Sequence, residues 1–316
     1  MTPFVTAIVL NYQHAGDTLR CVRSLAQSDY RRLSLIVVDN GSAPDVVAAL
    51  EEGLEPTTTL IRSGDNLGYA AGNNLGICRA LALGSDLVWL VNPDVVVGPD
   101  TLPALVDAAD ERPAAGIIGS QVLYGGSHPL RIWFNGGLID WDRGGSPSHR
   151  HSGDLYQEGD QGPIVDVDYV TGASMLVRAA VFASIGLLPE DYFLYFEETD
   201  FNMQARRAGW EIIVQPASVS WHYKRSTGLL PQPYYIYYFV RNRLNFSRRY
   251  SAADPGDIVD DLEPFISGWR AKVTRYAPDW VMVYDRLVEI ALQHGLEGRT
   301  GRWDGLADIT APARVA

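Results

Sequence analysis

Apolar residues in this chain gather in short runs, interrupted only by an occasional serine or threonine and closed by a polar turn. Phe4 to Leu10, Leu33 to Val38, Thr58 to Ile61 and Leu87 to Val91 are such runs, rich in β-branched side chains. Near-continuous runs of this length suit strands covered on both faces, as in a parallel sheet sandwiched between helices. The stretches between them change to helical spacing. Asp17 can cap a helix carrying Leu19, Val22, Leu25 and Ala26 on one face, and Pro44 can open a second helix through Leu50. Tyr69 to Leu83 is rich in alanine and leucine, and Asp100 can cap a helix through Ala109 before strand character resumes from Gly116 to Tyr124. Strands and helices alternating at this pace predict right-handed βαβ units.

One run organises the others. Asp86-Leu-Val-Trp-Leu-Val-Asn92-Pro-Asp94 ends in a proline that cannot donate to a strand ladder and biases Asn92 toward an extended backbone. The strand is expected to stop there, leaving Asp94 just past its carboxyl end, the edge where open α/β sheets bind ligands. A carboxylate in that place can carry a divalent metal and its phosphate ligand, or it can be a turn aspartate bound to its own backbone.

The second half of the chain is less regular. Residues 142–163 have no periodicity and read as a long irregular loop. Tyr169 to Val177 returns to strand character, and Ala179 to Ile185 suits a short helix. Tyr192-Phe-Leu-Tyr-Phe-Glu197-Glu198-Thr-Asp200 leads into a helix that stops at Gly209. Glu211 to Val214 and Val219 to Trp221 are further strands, the latter leading to His222. Residues 260–276 and 280–293 suit helices. The chain is therefore expected to divide into an α/β domain over 1–230, a helical extension over 231–294 and a loosely held tail over 295–316.

Composition narrows the chemistry. A formal net charge of -12 over 316 residues argues against a general nucleic-acid binder, since phosphates would be repelled. Cys21 and Cys78 have no metal-ligand spacing and read as reduced thiols of a cytosolic protein. Phe4 to Leu10 lacks a preceding basic region and reads as a first strand, not a signal peptide. No apolar run approaches the ~18 residues needed to span a bilayer, so any membrane contact is expected to be peripheral. Neither a GxGxxG turn nor a GxxxxGK[ST] loop follows the first strand, where Asn11-Tyr12-Gln13 stands instead.

Three acids, Glu197, Glu198 and Asp200, crowd one helix start. The helix dipole accommodates them, and one of them can instead accept a proton from a substrate hydroxyl. The aromatic run before them supplies a dry wall that raises carboxylate basicity. His222 is either a hydrogen-bonded histidine or a metal ligand, and an imidazole beside Asp94 suits Mn²⁺ better than Mg²⁺. The segment 234–249 interleaves Arg241, Arg243, Arg248 and Arg249 with aromatics. It admits three readings: a helix lying on an anionic membrane surface, an acceptor-diphosphate site at Arg241 or Arg243, or tyrosines packed inward with arginines in solvent.

Five motifs carry a resemblance when taken in order. They are Val9-Leu-Asn-Tyr12, Val38-Asp-Asn-Gly-Ser42, Asn66-Leu-Gly-Tyr-Ala-Ala-Gly72-Asn-Asn74, Asn92-Pro-Asp94 and Tyr195-Phe-Glu-Glu-Thr-Asp200. Tyr169-Val-Thr-Gly-Ala-Ser-Met-Leu and Trp221-His222 fit the same set. Over residues 4–245 the chain resembles family 2 inverting glycosyltransferases, and most closely the bacterial rhamnosyl- and galactofuranosyltransferase-like members.

The resemblance implies a GT-A fold, an αβα sandwich with a mostly parallel central sheet, here with a C-terminal helical extension. It implies a nucleotide-sugar site in which Asp39 contacts the base and Asn11, Asn66, Gly72 and Asn92 line the donor pocket. Asn92-Pro-Asp94 takes the DxD position, so Asp94 would hold Mn²⁺ or Mg²⁺ on the diphosphate, with His222 as a further ligand. Glu198 matches the general base. The chain departs in carrying Asn92 for the first DxD acid, and Glu where many members have Asp, with Glu197 adjacent. Implied partners are a dTDP- or UDP-sugar donor, with rhamnose the leading sugar, and a glycan, polyprenyl-linked or small-molecule acceptor. A second copy of the chain is a further candidate partner. A sugar nucleotidyltransferase is the competing enzyme reading, but Asn11 to Gly16 lacks its Gly-rich basic loop. A non-catalytic nucleotide-sugar binder is the competing reading from another class.

Overall fold

A computed structural model describes residues 2–159, 162–223 and 230–310. The elements follow in order: β1 (Val5–Asn11), α1 (Ala15–Ala26), β2 (Leu33–Asp39), α2 (Pro44–Gly53), β3 (Thr59–Arg62), α3 (Tyr69–Ala82), β4 (Leu87–Val91), β5 (Val95–Val97), α4 (Thr101–Glu111) and β6 (Ala115–Tyr124). They continue with β7 (Ile132–Phe134), β8 (Gly137–Asp140), β9 (Ser146–His149), β10 (Val165–Asp166), β11 (Ser174–Arg178), α5 (Ala179–Ile185), α6 (Glu197–Arg207) and β12 (Glu211–His222). The last helices are α7 (Pro233–Tyr250), α8 (Pro255–Tyr276), α9 (Val281–Leu296) and α10 (Leu306–Thr310).

The chain forms two compact units. The first is built on a ten-stranded sheet in the order β10-β12-β6-β11-β4-β1-β2-β3, with β5 added beside β12 and β7 beside β6. Pairing is parallel across β3-β2-β1-β4 and between β6 and β12, while β11 runs antiparallel between β4 and β6. The apolar runs occupy the centre, and Val5 to Asn11 and Leu87 to Val91 are buried along their whole length. Helices cover both faces, so this is the expected αβα sandwich.

Local departures from the sequence reading have physical causes. Glu211 to Val214 and Val219 to Trp221 belong to one strand, β12, whose register on β6 shifts between Gln215 and Val219. Pro216 lies inside that shift, where its missing N–H costs no ladder bond. Asp17 lies inside α1, bonded to Arg20 at 2.9 Å, and neither His14 nor Asp100 makes a side-chain cap at its helix start. The loop expected over 142–163 contains β9, which pairs with β8.

The second unit combines α7 to α10 with residues 139–147 and 190–197, two segments that a division at 230 and 231 does not anticipate. Its core is Ile236, Tyr237, Tyr238, Val240, Leu244, Ile258, Leu262, Val273, Tyr284 and Leu287. The tail is not loosely held through Thr310, and 311–316 lie outside the described residues. Trp303 lies 4.4 Å from the Tyr237 ring, and Gly301 donates its N–H to Asp191 O at 2.5 Å. Arg243 is 1 % exposed and donates to Asp261 Oδ2 at 3.2 Å, Arg143 O at 2.7 Å and Gly144 O at 3.1 Å. Burial pulls its guanidinium pKa down and Asp261 opposes that shift. Removing one member of a buried pair costs on the order of 3 kcal/mol where the partner charge is left alone, and less here, because Asp261 keeps its pairing with Arg143 and a bond from Ser146 Oγ at 2.9 Å. Arg243→Ala should therefore lower the thermal midpoint by several degrees in calorimetry, whereas Arg270→Ala, at an exposed pair with Asp285, should lower it by less than about 1 kcal/mol equivalent.

Candidate active site

The carboxyl ends of β1 and β2 lie in register, Asn11 opposite Asp39. Asn11 is fully buried, accepts from Thr18 Oγ1 at 2.7 Å and donates to Asp39 Oδ1 at 2.9 Å. Ser42 N donates to Asp39 Oδ2 at 3.2 Å. Asn11, expected to line the donor pocket, here orients the Asp39 carboxylate. Asn66 accepts from Gly68 N at 3.0 Å and from Asn40 Nδ2 at 3.2 Å, so it shapes the loop entering α3. Asn40, which sequence reasoning missed, ties that loop to β2 by accepting from Leu67 N at 3.1 Å and donating to Gly68 O at 3.0 Å. Gly72, expected in the donor pocket, is packed against β1. A Cβ there would meet Leu10 Cδ1 at 2.6 Å and Asn40 Cγ at 3.1 Å, so the glycine lets α3 close on β1.

Beyond β4 the chain turns at Pro93, with Val95 N donating to Asn92 O at 3.1 Å. β5 then runs antiparallel to β12, pairing Val95 with His222. That register places His222 Nε2 2.9 Å from Asp94 Oδ1, and Tyr223 N donates to Asp94 O at 2.8 Å. The imidazole is 5 % exposed and its Nδ1 is buried without a hydrogen-bond partner. Trp133 stands edge-on to it with centroids 4.5 Å apart, and so holds the ring plane that a bond on Nδ1 would otherwise hold. Asn92 is half-buried at the turn, and Cys21 Sγ donates to its carbonyl at 3.5 Å. Burial, with help from the Asp94 charge, pushes the Cys21 thiol pKa far up, so it stays protonated.

Neighbouring ligands around an ion bound at ~2.0–2.2 Å stand about 3 Å apart, and the Asp94–His222 separation matches that spacing. Among the described residues no group of three or more His, Cys, Asp and Glu side chains gathers at one point. Asp94 and His222 would therefore supply only part of a divalent ion's shell, and oxygen ligands from outside the protein would have to complete it.

Glu198 opens α6. Its carboxylate bonds to the backbone N–H groups of Glu198 and Thr199, while Oε2 is buried with no partner. Burial outweighs those bonds and raises its pKa above the usual carboxylate range. Tyr169, almost fully buried, has its phenol pKa pushed up by burial and then by the Glu198 charge, and it donates to Ser148 O at 3.2 Å. Asn202, one turn after Glu198, donates to Glu198 O at 2.7 Å and accepts from Val170 N at 3.1 Å. The segment so gripped gives Gly172 O to Tyr69 Oη at 3.2 Å and Ala173 O to Asn92 N at 3.2 Å. One short stretch, 170–173, therefore connects the Glu198 helix, the start of α3 and the turn that carries Asp94.

The other expected site residues fall elsewhere. Asp200 is fully buried and accepts from Gln204 at 2.7 Å. Glu197 is 3 % exposed. Arg241 and Arg243, expected at an acceptor, are each 1 % exposed with guanidinium groups on main-chain carbonyls. That also overturns the reading that α7 keeps these two arginines in solvent. Ile236, Tyr237, Tyr238 and Phe246 are buried as well, whereas Tyr234 is exposed.

Residues 3–231 match the family model described as glycosyltransferase like family 2. The chain is 28% identical over 246 residues to an N-acetylglucosaminyl-diphospho-decaprenol L-rhamnosyltransferase of Mycobacterium tuberculosis, covering 73% of this chain and 80% of that one. It is 29% identical over 212 residues to the galactofuranosyltransferase GlfT1 of the same organism, covering 66% of each. Among solved structures, the mannosyltransferase PcManGT from Pyrobaculum calidifontis, in complex with GDP-Man and Mn2+, superposes with a TM-score of 0.57 at 14% identity over 93% of this chain and 87% of that one. Fold and motif order agree with these likenesses, and the chain belongs to the glycosyltransferase-like family 2, as a glycosyltransferase of GT-A fold.

Proposed function

We propose that this chain transfers a sugar, with rhamnose the leading candidate, from a dTDP- or UDP-sugar to an acceptor hydroxyl, with inversion at the anomeric carbon. The observation that carries the reading is the linkage of Asp94–His222 and Glu198 through residues 170–173, in a unit whose β2 ends in a held Asp39 carboxylate. Asp39 is oriented by Asn11 and Ser42 to accept from a donor base. Asp94 and His222 would hold Mn²⁺ or Mg²⁺ against the donor diphosphate, and the imidazole favours Mn²⁺. The ion, when bound, neutralises negative charge that grows on the leaving diphosphate. Asn92, lacking a charge, leaves this grip to Asp94 and His222.

Glu198 takes the proton from the acceptor hydroxyl on the face opposite the leaving group. Its buried Oε2 has no competing donor, and its raised pKa makes it a stronger base than an exposed glutamate. Similarity to the decaprenol-linked rhamnosyltransferase supports a polyprenyl-diphosphate-linked acceptor. No helix among the described residues is long and apolar enough to cross a membrane, so such an acceptor would be met from the membrane surface.

A panel of dTDP-rhamnose, UDP-galactofuranose, UDP-glucose and GDP-mannose with Mn²⁺, scored for nucleoside diphosphate release, tests the reading. Release from at least one donor is expected, and donor binding without release would make the chain a binder only. Asp94→Ala should cut kcat/KM by roughly a hundredfold or more, since several kcal/mol of charge stabilisation are at stake. Mn²⁺-dependent donor binding that survives this change would end the metal assignment.

Glu198→Gln should lower kcat by about 10²–10⁴-fold at unchanged donor affinity. The sign of its stability effect follows from linkage. The folded pKa is above the unfolded one, so the folded chain holds the proton more tightly, and stability is lost as pH rises through the folded value. Glu198→Gln should therefore melt at a higher temperature than wild type at pH 7 and show no such gain at pH 4. For wild type, kcat should fall as pH drops through a limb above the ordinary glutamate range.

A further inference from the structure

Immediately before the candidate base, three aromatic residues hold left-handed backbone angles: Phe193 at φ 67°, Tyr195 at 68° and Phe196 at 77°. Bulky side chains rarely adopt this region, and they stay there only where the surroundings over-determine them. Glycine at these positions would remove the steric conflict, but it would also let the segment move.

The surroundings that over-determine the segment lie on α7. Asn242 is fully buried and its Nδ2 donates to Tyr192 O at 3.0 Å, Leu194 O at 2.8 Å and Tyr195 O at 3.0 Å. Arg241 Nη2 donates to the same Tyr192 O at 2.7 Å, and Arg241 Nε donates to Asn242 Oδ1 at 2.8 Å. That last bond settles which end of the amide faces the carbonyls. The rings add a second hold, with Phe193 on Tyr238, Tyr195 on Tyr235, and Phe196 on Phe239 and Phe246. Two residues after the last clamped carbonyl the chain reaches Glu197, and then Glu198.

We propose that Asn242 is a positioning residue for the transfer reaction. It fixes the strained 192–196 segment so that α6 begins with Glu198 at the attitude needed to deprotonate the acceptor. This rests on the base role assigned to Glu198. Asn242 itself touches neither substrate nor carboxylate and acts only through three residues of backbone. Arg241 is part of the same device as the group that orients the amide.

Two variants test this, each read at a temperature well below its own melting midpoint and normalised to folded protein. Asn242→Ser leaves one hydroxyl for three carbonyls. Tyr195→Gly, at a half-buried position, loosens the segment without opening the core. Nucleoside diphosphate release is followed with Mn²⁺ and the fastest donor of the four-sugar panel. Both variants should lose at least tenfold in kcat, keep the nucleoside diphosphate affinity within twofold by calorimetry, and shift the acid limb of the kcat–pH profile. Combined with Glu198→Gln, neither should reduce the residual rate further, because the group they position is gone.

A wild-type kcat per folded molecule in both variants overturns the proposal, as does a full multiplicative loss in the Glu198→Gln background. Should Asn242→Ser fail to fold, Tyr195→Gly alone decides. A Glu198→Gln enzyme that turns over at the wild-type rate defeats the base assignment instead, and is thereby told apart from failure of the Asn242 role.

Discussion

Pro93 has no N–H to give to a neighbouring strand, and β4 ends where it stands. The chain must turn, and the short β5 that follows finds its partner in β12, antiparallel, with Val95 opposite His222. Because side chains in strands alternate with a period of two, a slip of one residue in that pairing would point His222 to the other face. Register thus brings Asp94 and His222 together, and the 2.9 Å hydrogen bond between them follows from that placement. The metal site proposed at Asp94 and His222 depends on this one crossing.

The same logic explains why so many buried polar groups surround the site. A buried amide or carbonyl without a partner costs about 1–3 kcal/mol, so each one placed near the sheet edge must be answered by another. Asn11 answers Asp39 and Thr18, Asn40 answers Leu67 and Gly68, Asn74 answers Leu188, and Asn202 answers Glu198 and Val170. Asparagine suits these places because it carries both donor and acceptor on a short stem, so one side chain can join two pieces of main chain. These residues set loop shape along the sheet edge by joining separate pieces of main chain.

Much of this was legible in the sequence for a simple reason. Strands buried on both faces leave near-continuous apolar runs, and β1, β2 and β4 could be read directly from them, as could the polar turns at their ends. Asp94 and His222 are each ambiguous alone, and the ordered motifs supplied what spacing could not. The misreadings share a cause as well. Arg241 and Arg243 looked like surface cations because charge usually stays in solvent, yet the carbonyls that bury them come from residues 143–144, 192 and 301, far away in sequence. No local pattern announces a partner fifty or a hundred residues distant. Asn242 was invisible for the same reason, as was the continuity of β12 across Pro216.

Glu198 shows what such a scaffold must tolerate. Burial that raises its pKa makes it a better base, but the same burial makes its charged form costly to the folded state, so reactivity and stability pull against each other at one carboxylate. The strained residues before it add to that cost, on the order of 1–3 kcal/mol each. Compensation has to come from groups that do no chemistry. After Glu198 it comes from Asn202 and the Val170 backbone, and before it from Asn242, Arg241 and the rings of α7, with each hydrogen bond contributing about 1 kcal/mol net. A helix start stabilised only by its own dipole could hold an acid at the surface, where water would weaken it as a base. Holding one dry and correctly aimed requires a fixed main chain on both sides of it, and that requirement accounts for fully buried amides at positions 202 and 242 where ordinary packing would place apolar side chains.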